Sequence, residues 1–264
     1  MLKISHVSKT FNKGTINEKR ALIDLNLHLK PGDFVTVIGG NGAGKSTMLN
    51  AVAGVWPVDQ GSITIDGTDV TGLPEFKRAA YIGRVFQDPM MGTAPNMQIE
   101  ENLALAYRRG QKRGLGWGVT KAEKALYREK LAALGLGLED RMTSKVGLLS
   151  GGQRQALTLL MAALQKPKLL LLDEHTAALD PATAAKVLEL SDRIVQENEL
   201  TAMMITHNMK DAITHGNRII MMNEGRIILD IEGEEKKKLT KADLLQKFAE
   251  VAGVQEETDS VLLS

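Results

Sequence analysis

GGNGAGKS, at residues 39–46, is the stretch that decides the fold of this chain. It matches the pattern G-x-x-x-x-G-K-[ST], in which glycines let several backbone N–H groups point at one phosphate. The pattern indicates a phosphate-binding loop only where a strand precedes it and a helix follows it. Residues 34–38 (FVTVI) have the apolar composition of a buried strand, and residues 47–55 have a helical pattern. The sequence therefore predicts a P-loop between a strand and the positive N-terminal end of a helix.

The side chains of this loop have distinct expected roles. Lys45 is expected to contact the β and γ phosphates of a nucleotide, and Ser46 to supply a hydroxyl to Mg²⁺, with the Thr47 hydroxyl nearby. Kinases and GTPases share this loop, so it does not by itself define the reaction. The expected contacts with the phosphates are Gly39, Asn41, Gly42, Ala43, Gly44, Lys45, Ser46 and Thr47.

Two adjacent carboxylates end a second buried strand. Residues 169–172 are four leucines, and Asp173 and Glu174 follow them directly. A carboxylate at the C-terminal end of a central strand lies beside the P-loop in this type of fold. Asp173 is expected to hold Mg²⁺ through its water shell, and Glu174 to orient and deprotonate an attacking water. The second carboxylate favours water as the nucleophile and argues against a kinase.

Composition excludes several classes of protein. The chain has 264 residues, of which 43% are hydrophobic and 25% charged, so a globular fold of one large or two small domains is expected. Its 33 Lys and Arg against 32 Asp and Glu leave a net charge of +1, which argues against a general nucleic-acid-binding protein. The absence of cysteine excludes disulfides and thiolate chemistry. The sequence contains neither a membrane-spanning apolar stretch nor a secretory leader, and these features predict a cytoplasmic location.

The chain has three regions of different character. Strand patterns dominate up to residue 86, whereas strand signals vanish from about residue 87 to 150 and Ala, Leu, Glu and Lys favour helices. The α/β pattern then resumes with strand 169–172 and with helix 181–197, for which Asp180 is the N-cap candidate. The predicted division is a core at 1–86 and 151–232, a helical subdomain at 87–150 and a charged C-terminal tail at 233–264.

A second candidate anion site lies at LSGGQ, residues 149–153. Ser150 is an N-cap candidate, and Gly151, Gly152 and Gln153 would expose backbone N–H groups at the start of the next helix. The chain thus has two phosphate-binding devices and only one acidic strand end. One chain cannot easily use both devices on the same nucleotide, whereas two chains arranged head to tail could.

Together these ordered motifs resemble the nucleotide-binding subunit of ABC transporters, over residues 2–232. Gln87 matches the family's glutamine loop between the core and the helical insertion, and Asp180 matches the loop that crosses between two subunits. His207 matches the switch histidine that contacts the γ phosphate, and Phe11 falls where the family stacks an aromatic ring on adenine. Each of the four also has an ordinary structural interpretation: a loop residue, a helix N-cap, a polar strand end and a core aromatic, respectively.

The resemblance implies an α/β fold: a P-loop NTPase core with a mostly parallel central sheet, an antiparallel β subdomain and an inserted α-helical subdomain. It implies an ATPase that closes around two MgATP as a homodimer or with a second ATPase subunit. Each P-loop would then face Ser150, Gly151, Gly152 and Gln153 of the other chain. The resemblance assigns catalysis to Glu174, His207, Gln87 and Lys45, and Mg²⁺ to Ser46, Gln87 and Asp173.

The implied partners are integral membrane permease subunits, which place the chain at the cytoplasmic face of the cell membrane. An extracytoplasmic solute-binding protein would reach it only through the permease. Met90 and Met91, just after Gln87, suit a groove for a permease helix because methionine adapts to irregular surfaces. A separate single ATPase module favours import, and residues 175–178 (His-Thr-Ala-Ala) resemble an importer group with members linked to aromatic amino-acid uptake.

Three alternatives stay open on the sequence alone. The first is a soluble ABC-type ATPase that moves no solute, similar to those of iron–sulfur assembly, and the second is an exporter subunit. The third is a regulatory module that senses ATP, against which Glu174 and His207 together argue. His175, next to the proposed base, adds one further expectation: a shift in the pH profile of the activity.

Overall fold

The computed structural model of the chain describes residues 1–111 and 118–252. Within these ranges an α/β fold contains two sheets and their helices. The strands are β1 (Leu2–Phe11), β2 (Lys19–Leu29), β3 (Phe34–Ile38), β4 (Gln60–Ile65), β5 (Thr68–Asp69), β6 (Ile82–Val85), β7 (Leu169–Asp173), β8 (Thr201–Ile205), β9 (Arg218–Asn223) and β10 (Arg226–Glu232). The α-helices are α1 (Lys45–Ala53), α2 (Glu75–Arg78), α3 (Ile99–Tyr107), α4 (Lys121–Ala132), α5 (Gly151–Ala163), α6 (Pro181–Glu197), α7 (Met209–Thr214), α8 (Gly233–Lys237) and α9 (Lys241–Ala252).

The larger sheet has six strands in the order β10-β9-β3-β8-β7-β6. The strands from β9 to β6 pair in parallel, and β10 pairs antiparallel with β9. The strands β3, β7 and β8 consist almost wholly of buried side chains, as expected for strands covered on both faces. The mostly parallel central sheet is therefore confirmed, and the carboxyl ends of its parallel strands share one edge.

The smaller sheet is antiparallel, with four strands in the order β2-β1-β4-β5. In β2, buried Leu25, Leu27 and Leu29 alternate with exposed Asn26 and His28. Because the side-chain period of a strand is two residues, this alternation gives the sheet one apolar face. That face and α1 contribute to the same hydrophobic core, which confirms the antiparallel β subdomain.

The helical insertion has a core of its own. Its buried residues include Ile99 and Leu103 of α3, Tyr127 and Leu131 of α4, and Leu157 of α5. The opposite face of α5 packs on the central sheet, so this helix belongs to both cores. The inserted α-helical subdomain is confirmed, while its division from the core at residues 87 and 150 stays a prediction.

The predicted C-terminal tail continues the fold in its described part. Leu244 and Phe248 of α9 are buried in one cluster with Met209 of α7 and Ile231 of β10. Although this segment is rich in charged residues, its helix α9 has an apolar face that packs on the core. Residues 253–264 of the predicted tail lie outside the described residues. In the described part of the chain, no helix combines the length and the apolar character that crossing a membrane requires.

Candidate active site

The P-loop joins the end of β3 to the start of α1, as the sequence predicts. Two of its glycines are required by close backbone contacts. A Cβ atom on Gly39 would lie 2.2 Å from the Met222 carbonyl oxygen, and one on Gly44 would lie 2.6 Å from the Ala21 carbonyl oxygen. Both glycines also have positive φ angles, of 146° and 103°, which L side chains rarely adopt. The loop therefore keeps its shape only with glycine at these positions.

Lys45 closes over its own loop. Its side chain is buried, with 5% of the residue exposed, and Nζ donates to the carbonyl oxygens of Gly39 at 2.6 Å and Gly40 at 3.0 Å. Burial lowers the pKa of Lys45, while the negative charges of Glu174 and Asp173 act in the opposite direction. The lysine of the loop and the two carboxylates therefore form one electrostatic cluster.

The remaining loop residues differ in exposure. Gly42, Asn41 and Ser46 are exposed, Thr47 is half-buried, and Ala43 is buried beneath the loop. The exposed Ser46 hydroxyl lies in the first turn of α1, beside Lys45. This arrangement leaves the backbone and the Ser46 side chain accessible to a phosphate group.

At the end of β7, the side chains of Asp173 and Glu174 contact different partners. Oδ2 of the half-buried Asp173 lies 3.4 Å from Nη2 of Arg84, on the neighbouring strand β6. Burial raises the pKa of Asp173, and the Arg84 guanidinium opposes this shift. Glu174 adopts a left-handed φ of 45°, and its Oε2 lies 2.6 Å from Nε2 of His207. The side chain of Glu174 is 10% exposed and that of His207 is 46% exposed, so solvent reaches the pair from the histidine side.

Gln87 and Phe11 lie at the ends of two further strands. Gln87 is exposed and follows β6, so it leaves the sheet at the same edge as Asp173 and His207. Phe11 ends β1 in the other sheet and is half-buried. Its ring packs edge-on against Trp56, with ring centroids 5.5 Å apart, and Nζ of Lys9 lies 5.5 Å from its centroid. Phe11 is therefore outside the fully buried core.

The LSGGQ segment starts α5 with a reciprocal capping arrangement. Ser150 Oγ accepts from the Gln153 backbone N–H at 3.3 Å, and Gln153 Oε1 accepts from the Ser150 N–H at 3.2 Å. Asp180 caps α6 in a similar way, accepting from the Thr183 N–H at 3.1 Å. Hydrogen bonds from the side chain and the backbone N–H of Thr183 lower the pKa of Asp180. Both N-cap predictions from the sequence are confirmed.

Ser150 and the P-loop have different neighbours. Next to Ser150, a Cβ on Gly151 would meet the side chain of Leu179, and one on Gly152 would meet Thr183. Ser150, Gly152 and Gln153 also line a groove of about 610 Å³ together with residues of α6. The P-loop glycines instead approach the backbone of β2 and β9. Within one chain, the structure therefore brings Ser150 close to Asp180, whereas Lys45 lies with Asp173 and Glu174.

The sequence profile described as "ABC transporter" matches residues 22–177 of this chain. The chain belongs to the ABC transporter family. Accordingly, it is an ATP-binding subunit of that family, with the family's ATP-hydrolysing activity.

Named relatives of this ABC subunit are transport ATP-binding proteins. It is 44% identical over 248 residues to the tyrosine transport ATP-binding protein of Clostridioides difficile, covering 94% of this chain and 98% of that protein. It is 33% identical to the spermidine/putrescine import protein PotA of Haemophilus influenzae, over 87% of this chain and 57% of that protein. Among solved structures, it resembles a dimeric ATP-binding cassette in a post-hydrolysis state bound to ADP and Pi. That match has a TM-score of 0.74 and 31% identity, over 88% of this chain and 98% of the other.

Arg84 is the residue of this ABC site that sequence reasoning missed. The signal available was a single basic residue in the otherwise apolar run Ile82–Val85. A basic residue in such a strand needs a buried partner. The sequence does not show which partner it has, because Asp173 is 89 residues away along the chain.

The structure corrects the expectation for His175. Its side chain is buried, with Nε2 2.9 Å from the Ser191 hydroxyl on α6, whereas Glu174 contacts His207. Burial, with a smaller contribution from His215, lowers the pKa of His175 to about 4. A ring with this pKa stays neutral at the pH of an ordinary ATPase assay, so we do not expect its titration to shift the pH profile of the activity.

The same burial predicts a pH effect on stability. In the unfolded chain the pKa of a histidine is about 6.5, so on acidification the unfolded state binds a proton that the folded state excludes. Between about pH 7 and pH 5 this term should lower the free energy of unfolding by about 2 kcal/mol. Denaturant unfolding of wild type and His175→Gln over this range measures it. We expect the substitution to remove about this much of the acid-induced loss.

The exposed His28 provides the matched control for this measurement. His28→Gln, measured over the same range, shows how much of any change comes from the loss of a histidine as such. Identical pH dependence of wild type and His175→Gln would contradict the burial of a neutral His175.

Proposed function

We propose that this ABC subunit powers solute import by closing, as a dimer, around two molecules of ATP with Mg²⁺. The proposal rests on one observation above all. Lys45, Asp173, Glu174 and His207 gather at one edge of the sheet, while the second phosphate-binding helix end, at Ser150, has other neighbours. A chain with two separated halves of a phosphate site suits a pocket completed by a second chain.

In this proposal each side chain at the sheet edge has one task. Lys45 exchanges its two carbonyl partners for oxygens of the β and γ phosphates. Glu174, held by His207, accepts the proton of the water that attacks the γ phosphorus. His207 then contacts the γ phosphate, and Gln87 reaches the same edge from β6. The half-buried ring of Phe11 stacks on adenine.

The donor set at this edge fits Mg²⁺. The exposed Ser46 hydroxyl, the Asp173 carboxylate and the Gln87 amide supply the oxygen ligands that this hard cation prefers. When bound, Mg²⁺ would neutralise charge that develops on the phosphate oxygens. Asp173 and Ser46 would hold it beside Lys45.

The partner chain would complete the pocket with the start of its α5. There Ser150, Gly151, Gly152 and Gln153 present a helix N-terminus, which favours an anion such as the γ phosphate. Asp180 lies beside this segment through Thr183 and would approach the partner at the same contact. A homodimer satisfies this arrangement, and so does pairing with a second ATPase subunit that has the same motifs.

Permease subunits are the proposed membrane partners, which place the chain at the cytoplasmic face of the membrane. Met90 and Met91 follow Gln87 and are 39% and 70% exposed. Adaptable methionine side chains next to Gln87 suit the docking of a permease helix, and they would couple that helix to the ATP site. An extracytoplasmic solute-binding protein would act through the permease.

For the solute, we propose an aromatic amino acid. The support is the 44% identity to a tyrosine transport ATP-binding protein, over nearly the whole length of both chains. The polyamine and phosphonate import proteins match at 33% and 32% identity. Residues 175–178 support the same substrate class, because they resemble an importer group with members linked to aromatic amino-acid uptake.

Glu174→Gln tests the assignment of the base. The amide keeps the size of the side chain but cannot take a proton, so ATP hydrolysis should fall by about 100-fold or more, while ATP still binds. The uncleaved γ phosphate should then hold the chains together as a dimer. Turnover and gel filtration in the presence of MgATP measure both effects. Normal turnover in this variant would refute the assignment.

Uptake of labelled tyrosine tests the proposed solute. Cells that lack this chain should lose tyrosine uptake, wild type should restore it, and Glu174→Gln should not. Spermidine uptake in the same strains is the control and should not change. Unaltered tyrosine uptake without the chain would contradict the aromatic substrate, and would leave the ATPase assignment to the turnover assay.

A further inference from the structure

The Arg84 guanidinium lies where three parts of the ATP site meet. Its Nη2 donates to Asn50 Oδ1 at 2.8 Å, on the helix that follows the P-loop. The same nitrogen lies 3.4 Å from Oδ2 of Asp173, at the end of β7. The guanidinium carbon lies 4.5 Å from the centroid of the Phe86 ring, directly before Gln87. The Arg84 guanidinium therefore contacts the helix after the P-loop, the acidic end of β7 and the residue before Gln87.

The Arg84 cation is largely buried, and a single carboxylate compensates its charge. The Arg84 side chain is only 13% exposed, and the Asn50 amide and the Phe86 ring are uncharged partners. Its Nε is buried without an acceptor in the described part of the chain. Among the described residues, Asp173 forms the one ion pair of Arg84 within 4.0 Å. The carboxylate proposed to hold Mg²⁺ thus also balances a buried arginine.

A metal ion and the Arg84 guanidinium would therefore compete for the Asp173 carboxylate. Like charges repel, and the repulsion is strong where water is largely excluded. An arginine keeps its charge at all ordinary pH values, so it cannot relieve the conflict by losing a proton. The same positive charge attracts the phosphates of a nucleotide that arrives without metal.

Resting on the proposed function, we infer that Arg84 is a positioning residue that competes with Mg²⁺ for Asp173 and sets how strongly nucleotide binding depends on the metal. It favours the metal-free nucleotide and disfavours the metal-loaded one. The effect lies in the coupling between metal and nucleotide, which is the ratio of nucleotide affinities with and without Mg²⁺.

A purely structural role for Arg84 predicts a different result. If the side chain only ties β6 to β7 and to α1, its replacement lowers stability and weakens both affinities in proportion. The ratio of the two affinities would then stay constant. This ratio separates a charge that acts on the metal from a side chain that only packs.

The experiment measures ATP affinity by calorimetry, once with excess Mg²⁺ and once with EDTA, for wild type, Arg84→Lys and Arg84→Gln. In Arg84→Gln the ratio of the two affinities should rise about tenfold, which corresponds to about 1.4 kcal/mol of coupling. Arg84→Lys keeps the charge, so its ratio should stay within about twofold of wild type. Thermal unfolding checks that the variants fold, and Arg84→Met replaces Arg84→Gln if the latter does not.

Two results would overturn the inference. One is an unchanged or lower ratio in the uncharged variant, and the other is an equal rise in Arg84→Lys, which would point to shape instead of charge. Wild type that binds ATP more tightly with Mg²⁺, together with an unchanged ratio in Arg84→Gln, removes this inference alone. Wild type that fails to bind ATP under either condition removes the proposed function as well.

Discussion

The parallel pairing of β3, β8, β7 and β6 is the constraint on which the rest of the structure depends. In this register both Val37 of β3 and Asp173 of β7 lie opposite Ile205 of β8, so the three strands end at the same level. The Glu174 backbone N–H donates to the Ile205 carbonyl oxygen at 3.1 Å and ties the turn after β7 to its neighbour. Because the carboxyl ends of parallel strands meet at one edge, short segments from distant parts of the sequence converge there. The site is thus a consequence of strand order, and each segment needs only a few residues to reach it.

The chemistry of that edge follows from how its charges are balanced. Buried charges are tolerated only when they are paired or hydrogen-bonded. Lys45 meets this need with two carbonyl oxygens of its own loop, Glu174 with His207, and Asp173 with Arg84. Each of these contacts is one that a phosphate oxygen, a water or a metal ion could replace. The chain alone is therefore internally balanced, and nucleotide binding would exchange one set of partners for another.

Local patterns predicted much of this arrangement, and they failed where a long-range contact decides the outcome. The glycine loop, the acidic strand end and the N-caps Ser150 and Asp180 depend on residues within a few positions of each other, so the sequence contains the signal. Arg84 was missed because its partner is on a neighbouring strand. The direction of His175 could not be predicted either. Glu174 has a left-handed φ, so the side-chain alternation of the strand does not extend to His175, and only the contact with Ser191 of α6 shows that His175 points inward. The short helices at Glu75–Arg78 and Met209–Thr214 carry too few residues for a periodic pattern.

The central claim is that a complete pocket needs the loop of one chain and Ser150 of another. Heterodimers of differently tagged chains test it most directly, with Lys45→Ala and Ser150→Arg placed either on separate chains or together on one chain. If the pocket is shared, separate placement leaves one pocket intact, whereas placement on one chain damages both. MgATP turnover should then persist in the first heterodimer and vanish in the second. The reverse outcome, with turnover only when both changes lie on the same chain, would show that each chain holds a whole pocket and would contradict the account.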